Sequence, residues 1–149
     1  MTELHEAVKN GVPLELAQLA ELREKARREG HVFKVGQAIR FLAMGGTRRL
    51  VLHPKVGPLY VSAGCVRLDT KQTFALHQHP LSSDTIFVVS GRGRSRLGDT
   101  WYDVVPGDVT YAPPGVRHSM ENPRDEVFQQ CGGQSPLDMD YLRLVGVWP

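Results

Sequence analysis

Three histidines and one acidic residue carry the chemistry legible in this chain. His77 and His79 are two apart, Asp84 lies shortly after them, and His118 arrives some forty residues later. Residues two apart on a strand project to the same side of a sheet. The alternation of Thr73, Ala75, His77 and His79 is therefore expected to line an interior, with Phe74 and Leu76 turned outward. Neutral imidazoles gathered inside a protein leave nitrogen lone pairs to be satisfied, and a divalent metal ion satisfies them. Asp84 is in phase with Ile86 and Val88 on the following run, so a carboxylate reaches the same interior beside residues that exclude water. Three imidazoles and a carboxylate leave a coordination position open on a first-row ion, which is the condition for catalysis.

The elements that must position these residues are short. Pro13 is placed to open a helix that runs to about Glu29 and stops at Gly30, with Leu16, Leu19, Leu22 and Ala26 on one face. From Val32 onward, runs of β-branched and aromatic residues alternate with Gly, Pro, Asp and Asn. Strands are expected near 38–43, 48–53, 59–68, 73–79, 85–90, 93–97, 101–105, 109–112, 117–121, 125–131 and 140–147. Many short strands behind one helix argue for a sandwich or barrel. The expected organisation is an N-terminal segment with a helix, 1–31, and one β-barrel domain, 32–149.

Two segments resemble the motifs of the cupin superfamily. The first family motif runs Gly, five residues, His-x-His, three or four residues, Glu, six residues, Gly. His77, His79 and Gly91 match it, Asp84 stands at the Glu position and Lys71 at the leading Gly. The second runs Gly, five residues, Pro-x-Gly, two residues, His, three residues, Asn. Gly107, Pro113, Gly115, His118 and Asn122 match it throughout. The resemblance implies an all-β fold, the cupin double-stranded β-helix or jelly-roll barrel, with His77, His79, Asp84 and His118 as metal ligands. It implies a divalent metal ion, Fe(II) or Mn(II) first, with Zn, Ni or Cu as alternatives. Asp is one methylene shorter than Glu and reaches about 1.5 Å less far. Position 84 can therefore ligate directly, hold a metal-bound water, or leave a three-histidine site; direct ligation is the expectation.

Tyr60, Met120 and Gln130 are the candidate substrate-binding residues, as inward positions on strands that could line a cavity. Arg92, Arg94 and Arg96 alternate on one face and read as an exposed strand face, while His5, His31 and His53 have no assigned role. Cys65 and Cys131 show no metal or redox spacing; small buried thiols are expected, with a disulfide as the alternative. A net charge of +2 gives no argument for nucleic acid or a membrane surface. No signal peptide or membrane span is evident, so a cytoplasmic protein is expected. Outward Phe74, Leu76 and Phe87, with the helix, suggest a homodimer.

Two classes of function follow. The first is a metal-dependent enzyme acting on a small oxygenated organic molecule, either a dioxygenase or an isomerase/lyase working through a stabilised enolate. In it Asp84, if not tightly bound, is the catalytic proton carrier. The second is a non-catalytic module that binds a small molecule or a metal.

Overall fold

Turn residues cut the chain into strands too short to stand alone, and two sheets closing on each other bury them. The computed structural model describes residues 28–30, 32–56 and 60–144. Ten strands run through it: β1 Ile39–Ala43, β2 Gly46–Leu52, β3 Ser62–Leu68, β4 Thr73–His77, β5 Ser83–Ser90, β6 Gly93–Leu97, β7 Thr100–Val104, β8 Val109–Ala112, β9 His118–Glu121 and β10 Phe128–Ser135. A 3-10 turn at Val35–Gln37 precedes them and a short helix, α1, Met139–Leu144, follows. The strands form a six-stranded sheet, β1-β2-β3-β10-β5-β8, and a four-stranded sheet, β4-β9-β6-β7. Every pairing is antiparallel. This is the expected all-β double-stranded barrel. Of the expected N-terminal helix, residues 28–29 are helical and Gly30, at φ +75°, sits where it was expected to stop; the rest lies outside the described residues.

The barrel interior has two clusters of buried apolar side chains. Val66, Leu68, Phe74, Ile86, Val88, Val104, Met120 and Phe128 pack between the sheets. Phe41, Leu50, Tyr141 and Leu142 pack where α1 closes the edge formed by β1 and β2.

Three sequence expectations are corrected here. Phe74 faces inward and is 1% exposed, whereas Thr73 and Ala75 are exposed. The reason is a bulge in β4. Phe74 pairs with Met120 and His77 with His118, so β4 spends one residue more than β9 over the same stretch. That extra residue reverses the alternation, and Phe74 and His77 both face the interior although they are three apart. Secondly, 140–144 is helix instead of strand. Asp138 Oδ1 accepts from the Tyr141 backbone N–H at 2.9 Å, satisfying a donor that a helix start leaves free. A run this short, with two buried residues side by side, does not distinguish helix from strand by periodicity. Thirdly, Cys65 and Cys131 are half-exposed and joined in a disulfide. The β3–β10 register sets them directly opposite, with Cα atoms 4.1 Å apart.

One departure from the motif has a visible consequence. Lys71, where the family places Gly, has φ +63°, a left-handed conformation that Gly adopts with least strain. Its ammonium is held by the Pro123 carbonyl at 2.6 Å.

Candidate metal centre

The four ligand candidates come from three directions. His77 ends β4, His79 follows it, Asp84 begins β5, and His118 opens β9 opposite His77. Their rings lie close: His77 to His118 at 4.2 Å, His77 to His79 at 5.1 Å and His79 to His118 at 5.2 Å between centroids. One ligand atom from each of the four lies within 4.8 Å of the others. Asp84 Oδ2 is 3.4 Å from His118 Nε2 and 3.6 Å from His79 Nε2.

Each imidazole is oriented by its other nitrogen. His77 Nδ1 meets the Ala75 carbonyl at 2.8 Å, and His118 Nδ1 meets that of Val116 at 2.9 Å. His79 Nδ1 meets Asp138 Oδ2 at 2.6 Å. Acceptors on all three Nδ1 atoms place the proton there and leave the three Nε2 lone pairs for the shared centre. His118 Nε2 is buried with no hydrogen-bond partner, which an ion bound there would supply. The second motif builds this arrangement: Gly115, at φ +78°, donates its N–H to the His79 carbonyl at 2.8 Å, tying the loop before β9 to the first histidine pair. Asn122 is 1% exposed, with its amide nitrogen 2.6–3.2 Å from the carbonyls of Leu68, Asp69 and Glu126, so its role is to hold loops together.

Electrostatics agree with a cation site. Burial and the neighbouring His118 lower the His77 pKa to about 4, leaving it neutral and able to ligate near pH 7. For His79 burial acts downward, but hydrogen bonds to Asp84 and Asp138 outweigh it and raise the pKa. For Asp84 burial acts upward, but His118, His79 and the Arg48 charge outweigh it, and the carboxylate stays ionised well below its usual range. An ionised oxygen beside imidazole nitrogens suits a divalent cation, which would take the place of the proton His79 shares with Asp84. The donor set therefore fits a metal ion, with His77, His79, Asp84 and His118 as the groups that would hold it.

The other expected residues divide. Met120 and Gln130 are each 3% exposed and line, with Asp84 and Arg48, a small cavity beside the cage. Tyr60 is 78% exposed, so the expectation that it faces the interior is corrected. Arg92, Arg94 and Arg96 form ion pairs with Glu126, Glu121 and Asp99 on the barrel surface. His53 is buried with its Nδ1 unpartnered among the described residues, away from the cage.

Sequence reasoning missed Gln134, Asp138, Arg48 and Tyr141. Gln134 is 1% exposed, accepts from Ser62 Oγ at 2.6 Å and reaches Asp84 Oδ2 at 3.4 Å. It was out of view because β10 continues through Gly132-Gly133, a pair that reads as a strand end. A Cβ on Gly133 would collide with the Ser62 carbonyl, so the glycines let β3 approach closely. Asp138 joins His79 from 59 residues away, with no signal in the local sequence.

A barrel of two antiparallel sheets with a buried His/His/Asp/His cluster defines a class of small β-barrels with a candidate metal site. The Cupin_2 family, described as "Cupin domain", matches residues 64–129. That match covers somewhat less than half of the chain and, with the fold, supports the cupin superfamily. A conserved double-stranded β-helix protein of unknown character from Klebsiella pneumoniae superposes with a TM-score of 0.62 at 26% identity, over 72% of this chain and 91% of that one. An RmlC-like cupin from Shewanella frigidimarina gives 0.62 at 20% identity, over 74% and 96%. A predicted oxalate decarboxylase from Thermotoga maritima gives 0.63 at 17% identity, over 72% and 100%. The last two likenesses show the fold alone. In sequence, the uncharacterised protein MJ1618 of Methanocaldococcus jannaschii is 36% identical over 47 residues, 32% of this chain and 38% of that one. The match thus spans well under half of that relative. No helix among the described residues is long and apolar enough to cross a membrane.

Proposed function

We propose that this protein is a metal-dependent enzyme acting on a small oxygenated organic molecule. The observation that carries the reading is the common orientation of three imidazoles, each with Nδ1 bound to an acceptor, and the convergence of one ligand atom from each with Asp84 within 4.8 Å. A divalent ion held there, Fe(II) or Mn(II) by the mixed nitrogen and oxygen donors, would supply Lewis acidity toward ligand oxygens. The chain's own residues do the rest. Asp84 would serve as a ligand, and where it is not tightly bound its carboxylate would carry a proton to or from the bound molecule. Ile86 and Met120 keep water from the side of the cavity next to Asp84. Asp138 holds the His79 ring in place.

The test is elemental analysis of protein purified without added metal, followed by oxygen uptake and product assays with β-diketones and keto acids. Metal at one per chain with turnover of either class supports the reading; a metal-free protein without turnover ends it. The second reading, a metal- or ligand-holding module without turnover, draws on the cavity beside Asp84, which is only about 10 Å³. Tight binding with no turnover across the same panel would select it. We further propose that the outer face of the six-stranded sheet, where Leu42, Phe87, Val89, Val109 and Tyr111 are half or more exposed, pairs with a second copy of the chain. Light scattering at micromolar concentration would return the mass of a monomer if that is wrong.

A further inference from the structure

The outer face of the six-stranded sheet carries a row of side chains that the metal centre does not use. Strand register sets Arg40 opposite Arg49, Arg49 opposite Cys65, Cys65 opposite Cys131 and Cys131 opposite Phe87. Like charges directly opposite each other on neighbouring strands are destabilising. Arg40 and Arg49 are both exposed and make no ion pair among the described residues. With Arg67 and Asp69 they border a groove of about 570 Å³ that holds the half-exposed Cys65–Cys131 disulfide. Asp69 does not balance the pair, because Arg67 engages it at 2.8 Å. The groove therefore presents a disulfide beside two uncompensated cations, with Arg48 and Asp84 buried on the other side of the same sheet.

The two sulfurs are not equivalent. Cys65 has Arg49 as its neighbour across the strands, whereas Cys131 has Phe87. A nearby cation stabilises a thiolate, and the thiol of lower pKa is the better leaving group. Attack is thus directed to Cys131 Sγ, with Cys65 Sγ departing. We propose that Cys65–Cys131 is a thiol–disulfide exchange site whose partner is a small thiol bearing carboxylates, held by Arg40 and Arg49. The partner's thiolate bonds to Cys131 Sγ as the Cys131–Cys65 bond breaks. The electron pair leaves on Cys65 Sγ, which then takes a proton from water. A second thiol attacks the partner's sulfur and frees Cys131 as a thiol. Two small thiols become one small disulfide, and the protein gains two hydrogens. A groove of this volume has room for a peptide-sized thiol. Guanidinium and carboxylate match in charge and in geometry.

The probe is glutathione against its diethyl ester, which carries the same thiol without free carboxylates. Each is incubated with the oxidised, folded protein under exclusion of oxygen, then quenched by alkylation and read by peptide mass spectrometry. Rates are divided by the thiolate fraction of each probe. Glutathione is expected to open the bridge about threefold or more faster than the ester at low salt, the size of exposed charge pairs. That gap should close as salt rises. In trapped intermediates glutathione should sit on Cys131 and the alkyl group on Cys65. Arg40→Gln with Arg49→Gln should remove the preference for the acid while circular dichroism is unchanged. Equal rates for the two probes, an adduct chiefly on Cys65, or a bridge that opens only once the protein unfolds overturns the proposal. The probe contrast and the adduct position need no variant, so they decide the matter even if the double variant fails to fold.

Discussion

The interior of the barrel has two halves, divided at the β4 bulge. On one side Phe74 faces Met120 among Val66, Leu68, Val88, Val104 and Phe128. On the other His77 faces His118, with His79, Asp84, Gln134 and Arg48 around them. The same two strands, β4 and β9, build both halves. In the first, contacts are apolar and non-directional, and their strength follows buried area. In the second, each of the three imidazoles is aimed by a specific acceptor on its Nδ1. The barrel thus keeps stability and chemistry apart along one axis, and the bulge lets a single strand serve both.

The sharpest way to break that division is in the polar half. His77→Ala or His118→Ala should abolish most metal content by elemental analysis, while the far-ultraviolet circular dichroism of a β-rich fold persists. Unchanged metal occupancy would remove the site assignment. In the apolar half the pattern should invert. Phe128, fully buried, leaves a large void on substitution by Ala, and denaturant unfolding should show a loss of about 3–5 kcal/mol. Whatever fraction remains folded should still bind one metal; coupled loss of metal would mean the halves are not separable.

A smaller effect tests how the two halves are linked through α1. Asp138→Asn keeps a side chain able to cap the helix but removes the charge beside His79. Metal affinity, measured by competition with a chelator, should fall about 10- to 100-fold, with thermal stability of the stripped protein little altered. Outside both halves, burial and then Lys55 lower the His53 pKa from 6.5 to about 4. Between those values the unfolded chain binds the proton and the folded one does not, so stability falls as pH drops through that window. His53→Gln should therefore lose less melting temperature than the unaltered chain between pH 6.5 and pH 4; equal slopes would count against a buried neutral imidazole. The smallest effect is at Lys71. Replacement by Gly relieves a left-handed φ of +63° and should raise stability by up to about 1 kcal/mol, less what the Pro123 and Asp125 contacts contribute.

The strand positions near 93–97 and 109–112 agree with β6 and β8 residue for residue, because Gly91, Gly98, Gly107 and Pro113 bound them with unambiguous turn chemistry. The C-terminal run misread as strand lacked such punctuation, and the Gly132-Gly133 pair hid the end of β10. At the cage, the histidines were legible through their spacing, but the reason His77 faces inward was not. Simple alternation would have put Phe74 outside, and only pairing against β9 reveals the inserted residue.

By itself the sequence determined what is local: turn positions, short-strand texture, and the spacing of His77, His79, Asp84 and His118. Those follow from backbone preferences and side-chain period, which act over a few residues. Only the tertiary structure decided what is not local: the bulge, the Cys65–Cys131 bridge, and the placing of Arg48, Gln134, Asp138 and Tyr141 around the cage. Each depends on strands or a helix brought together from dozens of residues away, where register and close packing, and not any residue's own neighbours, set who meets whom.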